Sequence, residues 1–354
     1  MAKVLMKGNE ALAEAAIQAG CRHYFGYPIT PQNEVTAYMA KRMPEVGGVF
    51  LQAESEVSAI NMVYGAAGAG ARVLITSSSP GISLMQEGIS YIAGAEIPCV
   101  IANIMRGGPG LGDIQAAQSD YFQATKGGGH GDYKLIVLAP STIQEMADLV
   151  QEAFDIADEY RNPVMILGDG MLGQMMEPVD FDNIKKNESK IEKPWATTGV
   201  GSRGHRNIIN SLYLDPPVLE QHNYKIFKKY EKAQSKEKRY EMISCEDADV
   251  ILVAYGTIAR VAKNVMEIAR REGKKVGLIR PISLWPFPEE PFEKTADKVK
   301  AYLTVEMSMG QMVEDVERAV KFKKPVHFYG RPGGMVPEPA AILNEIEKIY
   351  GGVK

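Results

Sequence analysis

The sequence contains little cysteine, no long apolar run and no marked excess of one charge. Its 354 residues include three cysteines, Cys21, Cys99 and Cys245, which are far apart and form no CxxC pair. This scarcity argues against a disulfide scaffold, a cysteine-rich zinc site and an iron–sulfur cluster held by this chain alone. The three cysteines are therefore expected to be buried, inert thiols.

The charges nearly balance, because 40 Lys and Arg residues stand against 44 Asp and Glu residues and give a formal net charge of −4. A weakly acidic chain has no general attraction for nucleic acid or for an anionic membrane. No uncharged apolar run is long enough to cross a bilayer, and residues 1–15 lack the apolar segment of a secretory signal. We expect a cytoplasmic protein that binds neither nucleic acid nor membrane.

Apolar runs alternate with stretches of helical periodicity over residues 1–180. Runs typical of strands are VFLQA (49–53), RVLITSS (72–78), PCVIANIM (98–105), KLIVLAP (134–140) and PVMILGD (163–169). Strands that alternate with helices predict an α/β domain built on a parallel, doubly wound sheet. The pattern returns over residues 246–354 and predicts a second, smaller α/β domain. Residues 181–245 between them are charge-dense and are interpreted as an extended connector, within which residues 218–241 can form one helix.

Four loops follow successive predicted strands of the first domain. They are YPITP (27–31), QAESE (52–56), TSSSPG (76–81) and NIMRGGPGLGD (103–113). Because the carboxyl ends of parallel strands meet at one edge of a sheet, we expect these loops to lie together and to bind a ligand. The last loop runs on as a glycine-rich connection from Arg106 to about Asp132, and a connection of this length is usually functional or mobile.

Two further features suggest chemistry but are interpreted conservatively. The GDG at 168–170 resembles the start of the motif that holds diphosphate and magnesium in thiamine diphosphate enzymes, but the paired asparagines expected downstream are missing from the sequence. We interpret it as a turn at the end of a strand. The five histidines are scattered and none pairs with another at i, i+4, so no metal site is predicted, and only His130 lies in a suspected ligand loop.

The chain contains, in this order, GYPITP, QAESE with an alanine-rich helix after it, TSSSPG and NIMRGGPG. In their order and spacing these motifs resemble the alpha subunit of 2-oxoacid:ferredoxin oxidoreductases. The resemblance covers nearly the whole chain. The stretches MKGNEALAEAAIQAG, QSDYFQATKGGGHGDYK and NPVMILGDGMLGQMMEP are most similar to the branched-chain type, which acts on 3-methyl-2-oxobutanoate (2-oxoisovalerate). The family resemblance implies that residues 1–180 are a pyrimidine-binding domain for thiamine diphosphate and that residues 246–354 are a transketolase C-terminal-like domain.

The resemblance also implies how the enzyme is divided among subunits. Thiamine diphosphate is shared with a beta subunit, whereas Mg²⁺ and the iron–sulfur clusters are held by partner subunits and coenzyme A is a co-substrate. The implied partners are beta, gamma and ferredoxin-like subunits, and ferredoxin accepts the electrons. The implied reaction is the oxidative decarboxylation of branched-chain 2-oxoacids to acyl-CoA, CO2 and reduced ferredoxin.

Glu56 is the predicted catalytic residue. In the family that the sequence resembles, a glutamate hydrogen-bonds N1′ of the cofactor's aminopyrimidine and promotes the imino tautomer, which is a positioned acid–base step. The family places a glycine nine residues after this glutamate, and Glu56 with Gly65 satisfies that spacing. Glu54 does not, and it is kept as the alternative. Judged from the residues alone, the simpler interpretation is that Glu56 complements the dipole of a helix in its first turn.

Arg106 and Thr30 are the predicted substrate-binding residues. A guanidinium at the end of an apolar strand suits the carboxylate of a 2-oxoacid, because arginine pairs with carboxylates bidentately, and the family uses an arginine here. Thr30 matches a threonine whose hydroxyl binds the keto or carboxylate oxygen. Its alternative is an ordinary turn residue before Pro31.

Pro28, Ile29 and Ser79 are predicted to contact the cofactor. Ser79 lies with Ser78 and Gly81 at the start of a predicted helix, where helix capping is the simpler interpretation of these residues.

The predicted cleft loops, residues 26–33 and 106–124, contain no cation other than Arg106. A 2-oxoglutarate enzyme needs a second cation for the distal carboxylate, whereas an apolar tail suits the large side chains available, which are Tyr27, Leu111, Ile114, Tyr121 and Phe122. The alternatives are a 2-oxoglutarate member of the family, a non-catalytic assembly subunit, and a transketolase-like or pyruvate-dehydrogenase-like enzyme that does not use ferredoxin.

Overall fold

The computed structural model describes residues 3–184 and 191–352. The strands in these ranges are β1 (Val4–Lys7), β2 (His23–Gly26), β3 (Val49–Gln52), β4 (Val73–Ser77), β5 (Cys99–Met105), β6 (Ile136–Leu138), β7 (Pro163–Asp169), β8 (Met176–Val179), β9 (Tyr240–Ile243), β10 (Val250–Val253), β11 (Val276–Pro281), β12 (Ser283–Trp285), β13 (Ala301–Glu306) and β14 (Val326–Gly330). The α-helices are α1 (Gly8–Gln18), α2 (Asn33–Glu45), α3 (Glu56–Gly68), α4 (Ser79–Gly94), α5 (Tyr121–Thr125), α6 (Ile143–Tyr160), α7 (Gly170–Gln174), α8 (Pro216–Lys236), α9 (Gly256–Arg271), α10 (Glu290–Thr295), α11 (Met312–Val320) and α12 (Pro339–Tyr350).

The larger sheet has seven strands in the order β12-β6-β7-β5-β4-β2-β3. All neighbours in it pair in parallel except β12, which runs antiparallel to β6. Every residue of β4, β5 and β7 is buried, because helices cover both faces of the sheet. Near-continuous apolar runs are the sequence pattern of such strands, and the predicted doubly wound fold is confirmed.

The chain order around β2 creates a crevice at the carboxyl edge of this sheet. After β2 the chain forms β3 on one side of it and then crosses to form β4 on the other side. Ligands in open parallel sheets bind at such a switch point, outside the carboxyl ends of the strands. The four loops singled out in the sequence leave β2, β3, β4 and β5, so they lie at this edge as expected.

The smaller sheet has five strands in the order β14-β13-β10-β11-β9, with only β9 antiparallel to its neighbour. Helices α9 and α12 pack on it through buried residues such as Ala262, Ile342 and Ile346. The two sheets are not separated cleanly along the chain, because β12 comes from the second half of the sequence but joins the larger sheet. The division at residues 180 and 245 therefore stays a prediction.

The long loop after Arg106 is fixed against the smaller sheet. The Gln118 main-chain N–H donates to the Met307 carbonyl at 2.9 Å, and the Met307 N–H donates to Gln118 Oε1 at 3.0 Å. Gln118 Nε2 donates to the Tyr255 carbonyl at 3.0 Å. Further along, the Tyr121 hydroxyl donates to Asp315 Oδ2 at 2.7 Å. Because these groups are buried, the contacts are shielded from water and hold the loop in place.

The connector contains the expected helix, α8, which buries Ile226, Tyr230 and Ala233 and leaves its charged face exposed. Tyr230 packs edge-on against Trp285 of β12, with ring centroids 5.6 Å apart.

The three cysteines are buried free thiols as predicted, and burial raises the pKa of Cys99 to about 12. No helix within residues 3–184 and 191–352 is long and apolar enough to span a membrane.

Candidate functional site

Glu56 is the first residue of α3 and points into the protein. Ser55 caps the helix, with its Oγ accepting a hydrogen bond from the Ser58 N–H at 3.2 Å, and this places Glu56 in the first turn. The Glu56 side chain is buried, yet its carboxylate has no hydrogen-bond or ion-pair partner among the residues that the structure describes. Glu54 is exposed and accepts a hydrogen bond from the Ser58 hydroxyl at 2.6 Å, which lowers the pKa of Glu54. Of the two glutamates, only Glu56 is therefore buried.

The start of α4 approaches the Glu56 carboxylate closely. A Cβ atom at Gly81 would lie 2.5 Å from Glu56 Oε1 and 2.1 Å from Ser77 Oγ, so only glycine fits without displacing one of them. The hydroxyls of Ser77 and Ser78 are buried and have no hydrogen-bond partner in the described chain. A buried polar group without a partner costs free energy, which is tolerated where a ligand completes the bonding.

The structure brings Arg106 and Thr30 together. Arg106 Nη1 donates to the Thr30 carbonyl at 2.9 Å, and Nη2 donates to the Leu111 carbonyl at 3.0 Å. The Arg106 side chain is buried and its Nε has no acceptor, and within the described ranges no carboxylate pairs with it. The Thr30 hydroxyl accepts a hydrogen bond from Asn33 Nδ2 at 3.1 Å. A buried cation without a counter-ion is suited to an anionic ligand.

Ser79 is held in a network that the sequence did not reveal. Its hydroxyl donates to Asp120 Oδ2 at 2.6 Å, and Asn103 Nδ2 donates to the same oxygen at 2.9 Å. The Arg106 N–H donates to Ser79 Oγ at 3.1 Å, so the network also fixes the main chain at Arg106. Burial raises the pKa of Asp120, whereas the bonds from Ser79 and Asn103 act in the opposite direction.

The interpretation of this segment as a helix cap is confirmed in position, although no serine hydroxyl supplies the capping hydrogen bond. Ser78 occupies the N-cap position but makes no side-chain capping bond, and Asn103 Oδ1 instead accepts the Ser79 N–H at 3.1 Å. The available sequence signal was the polar Asn103 near the end of an otherwise apolar strand, β5.

Pro28 and Ile29 lie half-buried in the loop between β2 and α2. The Ile29 carbonyl accepts the Gln32 N–H at 3.0 Å, and the fully buried Gln32 Oε1 accepts a hydrogen bond from Thr76 Oγ1 at 2.6 Å. Thr76 Oγ1 is in turn 2.8 Å from the Tyr24 hydroxyl. This buried network fixes the loop that carries the predicted cofactor and substrate contacts.

A cavity of about 370 Å³ opens between the start of α4, residues 108–110 and the loops 308–311 and 332–333 of the smaller sheet. Leu111 and Ile114 near this edge are 80% and 56% exposed, so their side chains are free to meet a ligand or a partner. Tyr27 is also exposed and Phe122 is half-buried. The prediction that Tyr121 lines the substrate cleft is wrong, because Tyr121 is fully buried with its hydroxyl on Asp315.

The GDG segment lies at the end of a strand, as interpreted from the sequence, but it passes directly from β7 into α7 and does not form a turn. Asp169 caps α7, and its Oδ1 accepts the N–H groups of Met171 and Leu172, each at 3.0 Å. Burial raises the pKa of Asp169.

His130 is exposed. In the described part of the chain, no group of three or more His, Cys, Asp and Glu side chains is arranged to hold a metal ion.

Comparison with protein families gives two matches that together span most of the chain. Residues 14–242 match the family described as "Pyruvate flavodoxin/ferredoxin oxidoreductase, thiamine diP-bdg". Residues 248–342 match "Pyruvate:ferredoxin oxidoreductase core domain II".

Two curated relatives align with this chain over nearly their full length. The chain is 49% identical to ketoisovalerate oxidoreductase subunit VorB of Methanothermobacter marburgensis over 351 residues, which are 99% of each protein. It is 36% identical to 2-oxoglutarate synthase subunit KorA of Methanothermobacter thermautotrophicus, covering 97% of this chain and 98% of that protein.

Two solved structures share the fold. The 2-oxoglutarate:ferredoxin oxidoreductase from Magnetococcus marinus, with 2-oxoglutarate, coenzyme A and succinyl-CoA bound, matches 98% of this chain with a TM-score of 0.89 and 28% identity. This chain spans 65% of the length of that one. A split-gene transketolase, described as an inactive beta4 tetramer, matches with a TM-score of 0.62 at 14% identity, which is a likeness of fold alone.

Proposed function

Since the chain belongs to the 2-oxoacid:ferredoxin oxidoreductase family as a subunit with the thiamine-diphosphate-binding domain, we propose that it acts on 3-methyl-2-oxobutanoate and related branched-chain 2-oxoacids. The products of the assembled enzyme are the acyl-CoA, CO2 and reduced ferredoxin. The higher identity to a ketoisovalerate oxidoreductase subunit, 49% against 36% for a 2-oxoglutarate synthase subunit, supports this choice of substrate.

Glu56 is proposed as the residue that holds the proton at the cofactor's pyrimidine. Thiamine diphosphate, when bound, supplies the nucleophilic carbon and the electron sink for decarboxylation. The residues present fit this group, because a buried carboxylate without a partner lies at the switch point of the sheet, beside the unpartnered Ser77 hydroxyl. With the cofactor bound, the Glu56 carboxylate would accept a hydrogen bond from N1′ and so support the acid–base step.

The unpaired, buried guanidinium of Arg106 is the observation that carries the assignment of a 2-oxoacid substrate. Two of its N–H groups are fixed on main-chain carbonyls, so the side chain is oriented, and its buried Nε has no acceptor. A substrate carboxylate would supply the missing counter-charge. The Leu111 carbonyl is one of the fixed acceptors, and the exposed Leu111 side chain is proposed as an apolar contact for a branched tail.

The remaining parts of the enzyme are proposed to reside on partner subunits. Asp169 is already used to cap α7, which supports placing the Mg²⁺ and diphosphate contacts on a beta subunit. The three cysteines are buried and separate, which supports placing the iron–sulfur clusters on ferredoxin-like partners. Pro28 and Ile29 are retained as cofactor contacts, while Ser79 contributes through its network with Asp120. A gamma subunit completes the proposed assembly.

The test is to purify the chain with its natural partners and to assay a panel of 2-oxoacids with coenzyme A, using ferredoxin or a viologen dye as the electron acceptor. We expect a higher kcat/KM for 3-methyl-2-oxobutanoate than for 2-oxoglutarate. The reverse order would reassign the substrate to 2-oxoglutarate, and turnover without any low-potential acceptor would contradict the proposed electron transfer.

A further inference from the structure

Asp120 carries a carboxylate that neither caps a helix nor forms an ion pair with a described residue. It occupies the N-cap position of α5, but its side chain makes no capping bond there. Its Oδ2 accepts hydrogen bonds from the Ser79 hydroxyl at 2.6 Å and from Asn103 Nδ2 at 2.9 Å. Asp120 and Ser79 both line the cavity of about 370 Å³ beside α4. The carboxylate therefore serves the side chains of Ser79 and Asn103.

The Asp120 carboxylate decides the direction of the Ser79 hydroxyl. This hydroxyl has one proton and two acceptors within reach, Asp120 Oδ2 at 2.6 Å and the Arg106 carbonyl at 3.4 Å. The shorter bond goes to a charged oxygen, and hydrogen bonds to charged groups are the stronger ones. Because the proton is directed to Asp120, a lone pair of Ser79 Oγ is free to accept the Arg106 N–H at 3.1 Å. Asp120 thus holds the main chain at Arg106 through Ser79.

The position of the Arg106 main chain in turn determines where the guanidinium lies. The tip of the side chain is bound to the Thr30 and Leu111 carbonyls, and the Ser79 hydroxyl holds its base. A side chain that is fixed at both ends has little freedom to move. Displacement of a positioning group by about 1 Å can cost about 10²-fold in rate, so the contact at the base is expected to affect substrate binding.

Gln311 holds the segment that carries Asp120. Its Nε2 donates to the Ser119 carbonyl at 2.7 Å and its Oε1 accepts the Phe122 N–H at 2.8 Å, so one side chain binds the main chain on both sides of Asp120. Gln311 follows β13 of the smaller sheet, and its own N–H donates to the buried Glu306 carboxylate at 3.1 Å. A continuous set of hydrogen bonds therefore joins the smaller sheet to Arg106.

We propose that Asp120 and Gln311 are positioning residues for Arg106, through which the smaller sheet controls the binding of the substrate carboxylate. Asp120 acts through Ser79, and Gln311 acts through the main chain on either side of Asp120. The inference rests on the proposed function, because it requires Arg106 to bind the 2-oxoacid. Loss of either residue raises KM for every 2-oxoacid and leaves kcat within about threefold of wild type, since the carboxylate contact is already made in the bound substrate.

The first test compares Ser79→Ala, Asp120→Ala and the double variant in the assembled enzyme, with 3-methyl-2-oxobutanoate and 2-oxoglutarate as substrates and a viologen dye as the electron acceptor. Each single substitution is expected to raise KM for both substrates about tenfold. The double variant is expected to match Ser79→Ala, because residues that act through one another are not additive. An increase of about a hundredfold in the double variant would show that Asp120 does not act through Ser79 and would overturn the proposal.

Ser83→Ala is the matched control for Ser79→Ala. Ser83 also lies on α4 and lines the same cavity, but its hydroxyl donates to the Ser79 carbonyl at 3.2 Å and does not contact Arg106. We expect the wild-type KM in this variant. An equal rise of KM in Ser83→Ala and Ser79→Ala would contradict a specific role of the Ser79 hydroxyl.

The second test separates positioning from a merely structural role. Asp120→Asn keeps an oxygen that can accept the Ser79 hydroxyl, and it is expected to return KM to within about threefold of wild type. Gln311→Leu removes both main-chain hydrogen bonds and is expected to raise KM as Asp120→Ala does. A lower melting temperature with unchanged KM in Asp120→Ala and Gln311→Leu would mean that both residues only stabilise the fold. A KM as high in Asp120→Asn as in Asp120→Ala would refute the role of the acceptor oxygen.

Arg106→Ala, assayed beside these variants, distinguishes failure of this inference from failure of the proposed function. If Arg106→Ala raises KM but Ser79→Ala and Asp120→Ala do not, the proposed substrate site stands and the positioning role is refuted. If Arg106→Ala leaves KM unchanged, the substrate role of Arg106 is refuted and the positioning role falls with it.

Discussion

Replacing Glu56 by Gln is the sharpest test of the proposed catalytic residue. Gln keeps the volume of the side chain but removes the carboxylate that is proposed to bind N1′ of the cofactor. Because the Glu56 carboxylate makes no hydrogen bond to any described residue, the substitution breaks no contact within this chain. The folded state is therefore expected to keep its thermal stability, which separates a chemical effect from a structural one.

The expected loss is large because the carboxylate acts in the acid–base step. A positioned acid or base contributes about 10²–10⁴-fold to a rate. We expect the exchange of the cofactor's C2 proton in the assembled Glu56→Gln enzyme, measured by NMR after quenching in deuterated solvent, to slow by a factor in this range. The steady-state kcat is expected to fall with it.

Glu54→Gln is the matched control. Glu54 is two residues away and of the same type, but it is exposed and bound to Ser58. We expect proton exchange in this variant to remain close to the wild-type rate. Slower exchange in Glu54→Gln than in Glu56→Gln would show that the spacing argument selected the wrong glutamate, and wild-type exchange in both would refute a catalytic carboxylate in this loop.

The geometry around Gly81 provides a second perturbation of the same group. A methyl group at this position would lie 2.5 Å from Glu56 Oε1 and 2.1 Å from Ser77 Oγ. Gly81→Ala must therefore displace both the carboxylate and the hydroxyl, and a displacement of about 1 Å can cost about 10²-fold in rate. Wild-type C2 proton exchange in this variant would show that the position of the carboxylate is not critical.

Three further outcomes are expected. The isolated chain should bind thiamine diphosphate weakly or not at all in calorimetry, and tight Mg²⁺-dependent binding would refute a site shared between subunits. Arg106→Ala should lower kcat/KM for 3-methyl-2-oxobutanoate and 2-oxoglutarate alike, by about 10- to 150-fold. The reason is that a hydrogen bond to a charge is worth about 1.5–3 kcal/mol, whatever the rest of the substrate is. A change confined to one substrate would refute a role at the shared carboxylate. Gln118→Ala should lower the free energy of unfolding in urea by about 2–6 kcal/mol, because it leaves the buried Met307 N–H and Tyr255 carbonyl unpaired. A loss below about 1 kcal/mol would show that this contact does not hold the two sheets together.

The fold class could be derived from the sequence because its signal is local. Strands that are buried on both faces must be apolar throughout, and β4, β5 and β7 therefore stand out as runs between helical stretches. The loops that carry Thr30, Glu56 and Arg106 follow β2, β3 and β5 directly. Their meeting at one edge is a consequence of parallel strand order, which the alternation of elements already implies.

Contacts between distant segments were decided only by the tertiary structure. Tyr121 seemed a cleft residue because it lies in the glycine-rich loop, but its hydroxyl binds Asp315, a partner 194 residues further along the chain. Asp120 and Asn103 orient Ser79 through bonds that no local pattern encodes. Such pairs are determined by how distant segments pack together in the fold. The periodicity along the chain carries no information about which distant segments come into contact.

The choice between Glu54 and Glu56 shows how the two levels combine. Spacing to Gly65 favoured Glu56 from the sequence, but spacing alone cannot say which carboxylate is buried. The Ser55 cap and the close approach of Gly81 decide the direction of each side chain, so that Glu56 is buried against the start of α4 and Glu54 faces solvent. The sequence thus determined the fold class and the loops of the site, whereas the orientation of their side chains arose from the packing of α3 against α4, because only contact between helices excludes water from one carboxylate and not from the other.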